Sequence, residues 1–521
     1  LNAITADEGL VRDLASATSA DRVSTRAIDR RHVATDQWPA ALLSYRQHVP
    51  VEQPLCVVSP ETVDEVKRVV EVANKHRLGI VPYGAGSGVV GGGWAEQGAI
   101  TVDMKRMRKV LSLDHDRLVC EAEGGIIGQH LENHLRRHGL TLGHFPSSII
   151  CSSLGGWLVG RSAGQFSCRY GKIEDMVLSL RTVDGTGRVS TFGADGPLPG
   201  PGPDDLQTIV GSEGMLSIVT DAKLRVWPKP AAEHYWGFQV SSVGHGIEAM
   251  RSLLQAGFSP TVLRLYDKAD TVIAKRKADG AEDSLDGHGQ MDRIASALPA
   301  PARESFVAAL KKRAGATVLR TALLNPSAIR FFLDRASDRC NMILGCEGSE
   351  RLSQAMMEGM RTHLVKQGAT DLGKGPGIHW YHSRHNVSYK QSPVFLLGAF
   401  VDTMEVSAPW QHVVPIYNAV RDALRDRVFV MAHFSHAYLD GCALYFTFAG
   451  MSTGDELAFY KETWRRALEA VTTHGGSVSH HHGVGLAKHE FLADHHGPLW
   501  ERFADLKKRF DPHGTMNRGK W

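Results

Sequence analysis

The stretch "GIVPYGAGSGVVGGG", residues 79–93, decides how the first half of the chain is read. A short apolar run, Ile80 to Tyr83, enters glycines at 84, 86, 88 and 91–93. Gly86, Gly88 and Gly91 formally satisfy GxGxxG. That spacing builds a dinucleotide site only where a helix opens behind it and offers its N-terminus to phosphate. Here the glycines continue through Gly93 and no helical pattern follows. The stretch therefore reads as an open loop whose backbone N–H groups line a concavity for phosphate oxygens. A purely structural glycine turn would look the same in isolation, so the flanking sequence has to decide.

Upstream, Ser59-Pro60-Glu61 has the form of a helix start, with a capping hydroxyl, proline at the first helical position and an acid in the first turn. Val63, Val66, Val69, Val70 and Ala73 then recur at helical spacing. Downstream, "RLVCEAEGG" (117–125) reads as a strand into a turn and "IIGQHLENHLRRHG" (126–139) as a helix. Residues 143–177 form a long small-residue stretch. Ser147, Ser148, Ser152 and Ser153 offer hydroxyls, and Gly155, Gly156, Gly160 and Gly164 permit close backbone approach. Ile149, Ile150, Leu154, Trp157, Leu158 and Val159 are too apolar for a solvated loop. "DMVLSLRTVDGTGRVST" is a hairpin turning at Asp184-Gly185, and "GSEGMLSIVTDAKLRVWP" is a glycine turn feeding a strand that ends at Pro228. The pattern is a mixed α+β domain with several glycine-lined loops.

Composition narrows the class. The 521 residues exceed one small core and suggest two or three units. A net charge of +3, from 59 basic and 56 acidic side chains, gives no electrostatic case for nucleic acid. No apolar run approaches the length of a spanning helix, and the N-terminus lacks a secretory pattern. The first residue is Leu rather than Met, which leaves room for a trimmed targeting segment. The 7 cysteines, scattered without CxxC spacing, point away from a disulfide framework or a zinc site and toward a reducing, cytoplasmic setting.

The glycine loop at 84–91, the "SS…CSSLGGW" stretch and "GSEGMLSIVT", in that order, resemble the FAD-binding domain of the vanillyl-alcohol oxidase (PCMH-type) flavoproteins. "SHAYLDGCALYFTFAG", "SHHHGVG" and "DPHGTMNRG" resemble one branch of it, the alkyldihydroxyacetonephosphate synthases. The resemblance covers roughly residue 45 onward. It implies an α+β fold: a two-subdomain PCMH-type FAD-binding domain plus an antiparallel-sheet cap domain for substrate. The corresponding division is an N-terminal extension at 1–45, the FAD-binding domain at 46–230, the cap at 231–450 and a C-terminal helical segment over the flavin at 451–521.

Carried over residue by residue, the resemblance gives the diphosphate to Pro82, Tyr83, Gly84, Ala85, Gly86, Ser87 and Gly88. The rest of the flavin nucleotide falls to Ser147, Ser148, Ile149, Ile150, Cys151, Ser152 and Ser153, then to Gly160, Arg161, Ser162 and Ala163. Glu213, Gly214, Met215, Leu216, Ser217, Ile218 and Val219 follow, with Asn517 from the tail. Relatives that tether FAD covalently carry a His or Cys in such loops. Cys151 is the sole candidate across these two loops, so non-covalent FAD is expected.

Flavin chemistry needs a proton donor or acceptor near the substrate and a cation for any phosphate or carboxylate. Tyr445 lies in an apolar strand run where a core tyrosine would be at home, yet it matches the synthases' acid/base. A phenol near pKa 10 needs lowering to act near neutrality, and neighbouring imidazolium or flavin could do it. His480, His481 and His482 match the branch's catalytic triplet; in an extended chain His480 and His482 would share a face. Arg264, inside the apolar run "TVLRLYD", matches an arginine suited to phosphate. One position departs from the family: Gln391 stands where an arginine is thought to meet the acyl-chain carboxylate, with Lys390 and Arg384 as substitutes. Flavin-dependent 2-hydroxy-acid dehydrogenases of the superfamily bind a divalent ion through a DGNLH-like and an EHG segment. The matching stretches here end in Tyr445 and replace the carboxylate with His, so no metal is expected.

The resemblance implies an FAD transferase of ether lipid synthesis. Flavin N5 would trap C1 of acyl-dihydroxyacetone phosphate, the fatty acid would leave and a long-chain alcohol would add, with no net redox. Such a lipid substrate implies an apolar tunnel and peripheral membrane contact, and the branch implies a homodimer. The alternative is an FAD-dependent oxidase or dehydrogenase of a secondary alcohol or 2-hydroxy acid, which Gln391 keeps open. A flavin-binding protein without catalysis is a third reading.

Overall fold

The computed structural model describes residues 6–193, 204–272, 323–327, 330, 338–386, 392–396 and 398–520. The chain divides into two compact units. The first is Leu1–Gly164, Tyr170–Lys229 and His481–Trp521; the second is Gln165–Arg169 and Pro230–His480. The division falls inside the histidine triplet.

In the first unit, four strands lie in the order Val23–Ser24, Cys56–Val58, Ile100–Asp103 and Ile80–Tyr83. The last three run parallel. Five antiparallel strands form a second sheet: Val110–Asp114, Val119–Glu123, Ser217–Arg225, Val177–Asp184 and Val189–Gly193. The last two are the expected hairpin, closed at Asp184 to Val189.

The valine-rich segment is helix Val63–His76, with Val66, Val69, Val70 and Ala73 fully buried. Each such valine contributes about 1.5–3 kcal/mol by leaving water. They pack on Leu10 and Leu14 of helix Glu8–Ala17, on strand residues Val58, Ile80 and Ile100, and on Val183 and Ile218 of the second sheet. One apolar core thus ties both sheets together.

The start of this helix differs from the expectation. Its cap is Thr62, whose side chain accepts from the Glu65 amide at 3.2 Å. Ser59 instead donates its amide to Arg22 O at 3.0 Å, extending the pairing of Cys56–Val58 with Val23–Ser24. A residue still committed to the sheet cannot open the helix. Glu65 closes the cap by accepting the Glu61 amide at 2.7 Å.

The second unit is built on seven antiparallel strands, in the order Thr370–Gly373, Ala232–Val240, Cys340–Gly348, Val262–Tyr266, Phe429–Ala437, Gly441–Gly450 and Phe400–Pro409. Along Gly441–Gly450, side chains alternate: Phe446 and Phe448 are fully buried while Tyr445 and Thr447 are not. The phenylalanine face meets helix Glu456–Thr473, with Phe448 and Trp464 edge to face at 5.9 Å. The opposite face carries the polar residues. All 7 cysteines are free, and no helix among the described residues is long and apolar enough to cross a membrane.

Candidate active site

The glycine loop leaves strand Ile80–Tyr83 half-buried. Among the described residues, none accepts a hydrogen bond from the amides of Ala85, Gly86, Ser87 or Gly88. Partly desolvated donors without acceptors are costly unless a ligand supplies oxygens. Gly86 has φ +67, and a Cβ there would fall 1.9 Å from the Tyr83 hydroxyl oxygen, so no other residue fits. The loop's far end is pinned by a residue from the N-terminal extension. Asp36 accepts from the amide of Gly91 at 2.9 Å, the indole of Trp94 at 3.0 Å and the amide of Trp38 at 3.1 Å. Burial pushes its carboxyl up to about 6.

The other predicted flavin loops lie in the same unit. Ser152 accepts from the Trp157 indole at 2.8 Å and donates to Ser148 O at 2.8 Å, which fixes the 147–153 turn. Arg161 (φ +50) spends its guanidinium on Val210 O and Gln207 O, both at 3.1 Å, bringing 160–163 against the segment before Glu213. Glu213 (φ +48) turns its carboxylate to the amides of Val484 and Gly485, and burial pushes its pKa up. The carboxylate is thus occupied within the protein. Asn517 donates to Glu213 O at 2.7 Å and Gly92 O at 3.1 Å, so the tail joins two loops.

Near these loops, the buried polar atoms with no partner among the described residues include Ser212 Oγ, Ser217 Oγ, Oδ1 of Asn517 and Nδ1 of His144. His144 was not singled out by the sequence reading. It holds Ser162 Oγ at 3.2 Å through Nε2, meets Trp157 edge to face at 4.6 Å, and burial drives its pKa down to about 3. Unmatched amides, a buried hydroxyl and a neutral imidazole are the donor set that a diphosphate-bearing flavin nucleotide satisfies.

In the second unit, register assembles the polar face. Glu405 pairs across from Tyr445, Tyr445 from His433, and His433 from Tyr266. Directly paired residues share a face, so these four form one row across four strands. Thr403, two residues before Glu405, and Arg264, two before Tyr266, lie on the same side. Tyr445 Oη donates to Thr403 Oγ1 at 3.0 Å, and its ring stacks on His433 at 4.6 Å and 16°. Burial pushes Tyr445 up to about 12. The imidazole beside it is neutral, for burial and the nearby Arg264 charge hold His433 well below its usual value.

The triplet is bent rather than extended, so strict alternation of its side chains fails; the rings of His481 and His482 meet at 4.6 Å. The backbone amide of His480 donates to Glu405, which also accepts from Ser479 Oγ at 2.8 Å. Nε2 of His480 lies 3.2 Å from the Tyr438 hydroxyl, which donates to Ser167 Oγ at 3.3 Å. Ser167 Oγ in turn lies 2.7 Å from Nδ1 of His436. Tyr438 is thus a phenol that meets a triplet histidine within this unit. Arg384 stacks on Tyr381 at 3.9 Å. Gln391 and Lys390 lie outside the described residues.

Comparison with known proteins agrees with both halves. Residues 54–193 match the family model described as FAD binding domain, and residues 229–521 match FAD linked oxidases, C-terminal domain. An alkyldihydroxyacetonephosphate synthase of Dictyostelium discoideum is 30% identical over 481 residues, covering 90% of this chain and 73% of that protein. The FAD-linked oxidoreductase YgcU of Escherichia coli (strain K12), itself described as uncharacterized, is 26% identical over 485 residues, covering 89% and 88%. A solved alkyldihydroxyacetonephosphate synthase structure is 26% identical, superposes with a TM-score of 0.76, and matches 100% of this chain and 86% of that one.

Proposed function

Given that the chain belongs to the alkyldihydroxyacetonephosphate synthase branch of the vanillyl-alcohol oxidase (PCMH-type) FAD flavoproteins, we propose that it exchanges the acyl chain of acyl-dihydroxyacetone phosphate for a long-chain alcohol. FAD is the cofactor, and we take it to be held non-covalently. Its diphosphate would sit on the amides of Ala85 to Gly88, with Ser147 to Ser153, Gly160 to Ala163, Gly214 to Val219 and Asn517 around the remainder. When bound, the flavin would supply nucleophilic chemistry toward the substrate carbon. The chain's residues supply the rest.

Replacing a carboxylate leaving group by an alkoxide leaves the electron count and both C1 hydrogens unchanged: the alcohol loses a proton, the departing carboxylate gains one, and any proton drawn from C1 on the way must be returned to it. Tyr445, His480, His481 and His482 are the proposed carriers of these protons. A phenol at about 12 keeps its proton near neutrality, so Tyr445 serves first as donor to the departing carboxylate, and the proton lost by the alcohol restores it. Arg264 is the proposed cation for the substrate phosphate. The observation that carries the reading is the row Glu405–Tyr445–His433–Tyr266, which puts the phenol on the polar face with Arg264 two residues from its end.

The test is product analysis. Purified FAD-loaded protein given acyl-dihydroxyacetone phosphate and hexadecanol should release fatty acid and ether product in equal amounts. Fatty acid without ether would defeat the proposal. The second reading, an FAD-dependent oxidase or dehydrogenase of a secondary alcohol or 2-hydroxy acid, is favoured by one feature: Gln391 occupies the place of the family's carboxylate-binding arginine.

A further inference from the structure

Among the described residues, no carboxylate holds Arg264 directly. Its Nη2 lies 2.6 Å from Nε2 of His433. A guanidinium can only donate, so that ring nitrogen must accept, and the imidazole must carry its proton on Nδ1. Nδ1 faces Oδ2 of Asp270 at 3.3 Å, which accepts that proton. The chain Asp270–His433–Arg264 therefore has one consistent proton arrangement. Asp270 and His433 are both 9% exposed, so the arrangement is locked away from solvent.

The arrangement leaves two things unspent. The positive charge is not cancelled, since its contact is a neutral ring and the carboxylate stands one residue further back. Nε of Arg264 is buried and has no acceptor among the described residues. A purely structural arginine on a sheet face would be expected to meet a carboxylate directly and use its whole fork. Glu405, on the same face, does not serve, because it accepts from Ser479 and the His480 amide. The Tyr266 ring beneath the guanidinium, 5.2 Å from its carbon, fixes the plane without neutralising it.

We propose that Asp270 and His433 are positioning residues that aim Arg264, charge uncancelled, at a phosphate monoester oxygen of the substrate. This deepens the reading above, resting on Arg264 as the group that meets the substrate's anion.

The probe is inorganic phosphate, titrated calorimetrically into the full FAD-loaded chain. Wild-type protein should bind it, and Arg264→Ala should abolish binding. His433→Ala should weaken binding by about tenfold or more, which is about 1.4 kcal/mol. His433→Gln, which returns an acceptor to the position of Nε2, should recover most of the loss. His433→Glu is the discriminating variant: a carboxylate beside Arg264 would satisfy any structural need for an ion pair but cancel the charge. It should keep a native flavin spectrum and melting temperature yet lose phosphate. Asp270→Asn should weaken phosphate more mildly.

Phosphate affinity unchanged in His433→Ala or His433→Glu, or absent from the wild type, would overturn the proposal. Phosphate binding with the expected His433 dependence, but no ether product from the lipid substrates, would remove the transferase reading and leave this one standing.

Discussion

Asp36→Asn should move stability and cofactor affinity in opposite directions. The carboxylate takes Trp94 Nε1 and Trp38 N on Oδ1 and Gly91 N on Oδ2, and the Gly93 amide also bonds to it. An asparagine keeps its single oxygen where two donors converge, so its NH2 group faces the Gly91 amide. One buried donor is orphaned, at about 1–3 kcal/mol, and the glycine loop loses its anchor. Against this, a carboxyl held at about 6 rather than 3.8 costs about 3 kcal/mol when ionised in the fold. Asparagine does not bear that cost. Because Asp36 titrates higher in the folded chain than in the unfolded one, its contribution is most favourable below about pH 3.8 and is lost as pH rises through about 6. At pH 7.5 the FAD-free variant should therefore unfold at a denaturant midpoint equal to or above wild type, and lack the wild-type decline in stability between pH 4 and 6. Its FAD affinity, followed by flavin fluorescence on reconstitution, should fall by about tenfold. A variant that loses stability at pH 7.5 while binding FAD normally would refute this account of Asp36.

Three further outcomes follow from the site. Tyr445→Phe removes only the hydroxyl that meets Thr403; turnover should drop by at least about 10²-fold with the flavin spectrum intact, and unchanged turnover would exclude Tyr445 from proton transfer. Gly485→Ala combines φ +47 with a Cβ 2.4 Å from the Val90 carbonyl oxygen, so purified protein should melt several degrees lower and retain less FAD; a wild-type melt would contradict the packing of 484–485 on the glycine loop. Tyr438→Phe should leave FAD affinity unchanged while shifting the pH profile of turnover, since it strips His480 of its phenol partner; an unaltered profile would assign Tyr438 a packing role.

What could be read from the sequence was local. Val66, Val69, Val70 and Ala73 announce their helix because burial and helical period coincide. The hairpin at Asp184-Gly185 and the strand around Tyr445 are equally plain. The cap was misplaced because Ser59-Pro60-Glu61 and Thr62–Glu65 both carry the signature, and only the bond from Ser59 to Arg22 decides between them. Asp36 and Gly91 are 55 residues apart, and Arg264 and His433 are 169 apart. No periodicity links such pairs. The sheet register that puts His433 against Tyr445 had to be seen. The upward shift of Tyr445 is hidden for the same reason, since the imidazole beside it is kept neutral by burial and by an arginine 169 residues away in the sequence.

The central claim, a flavin-dependent exchange with no net redox, is tested most directly by the flavin's own absorbance. In anaerobic solution with acyl-dihydroxyacetone phosphate and hexadecanol, the spectrum at completion should match that of the oxidised starting enzyme after many turnovers. Bleaching that persists on adding a secondary alcohol or 2-hydroxy acid alone, and reverses only with an electron acceptor, would contradict it.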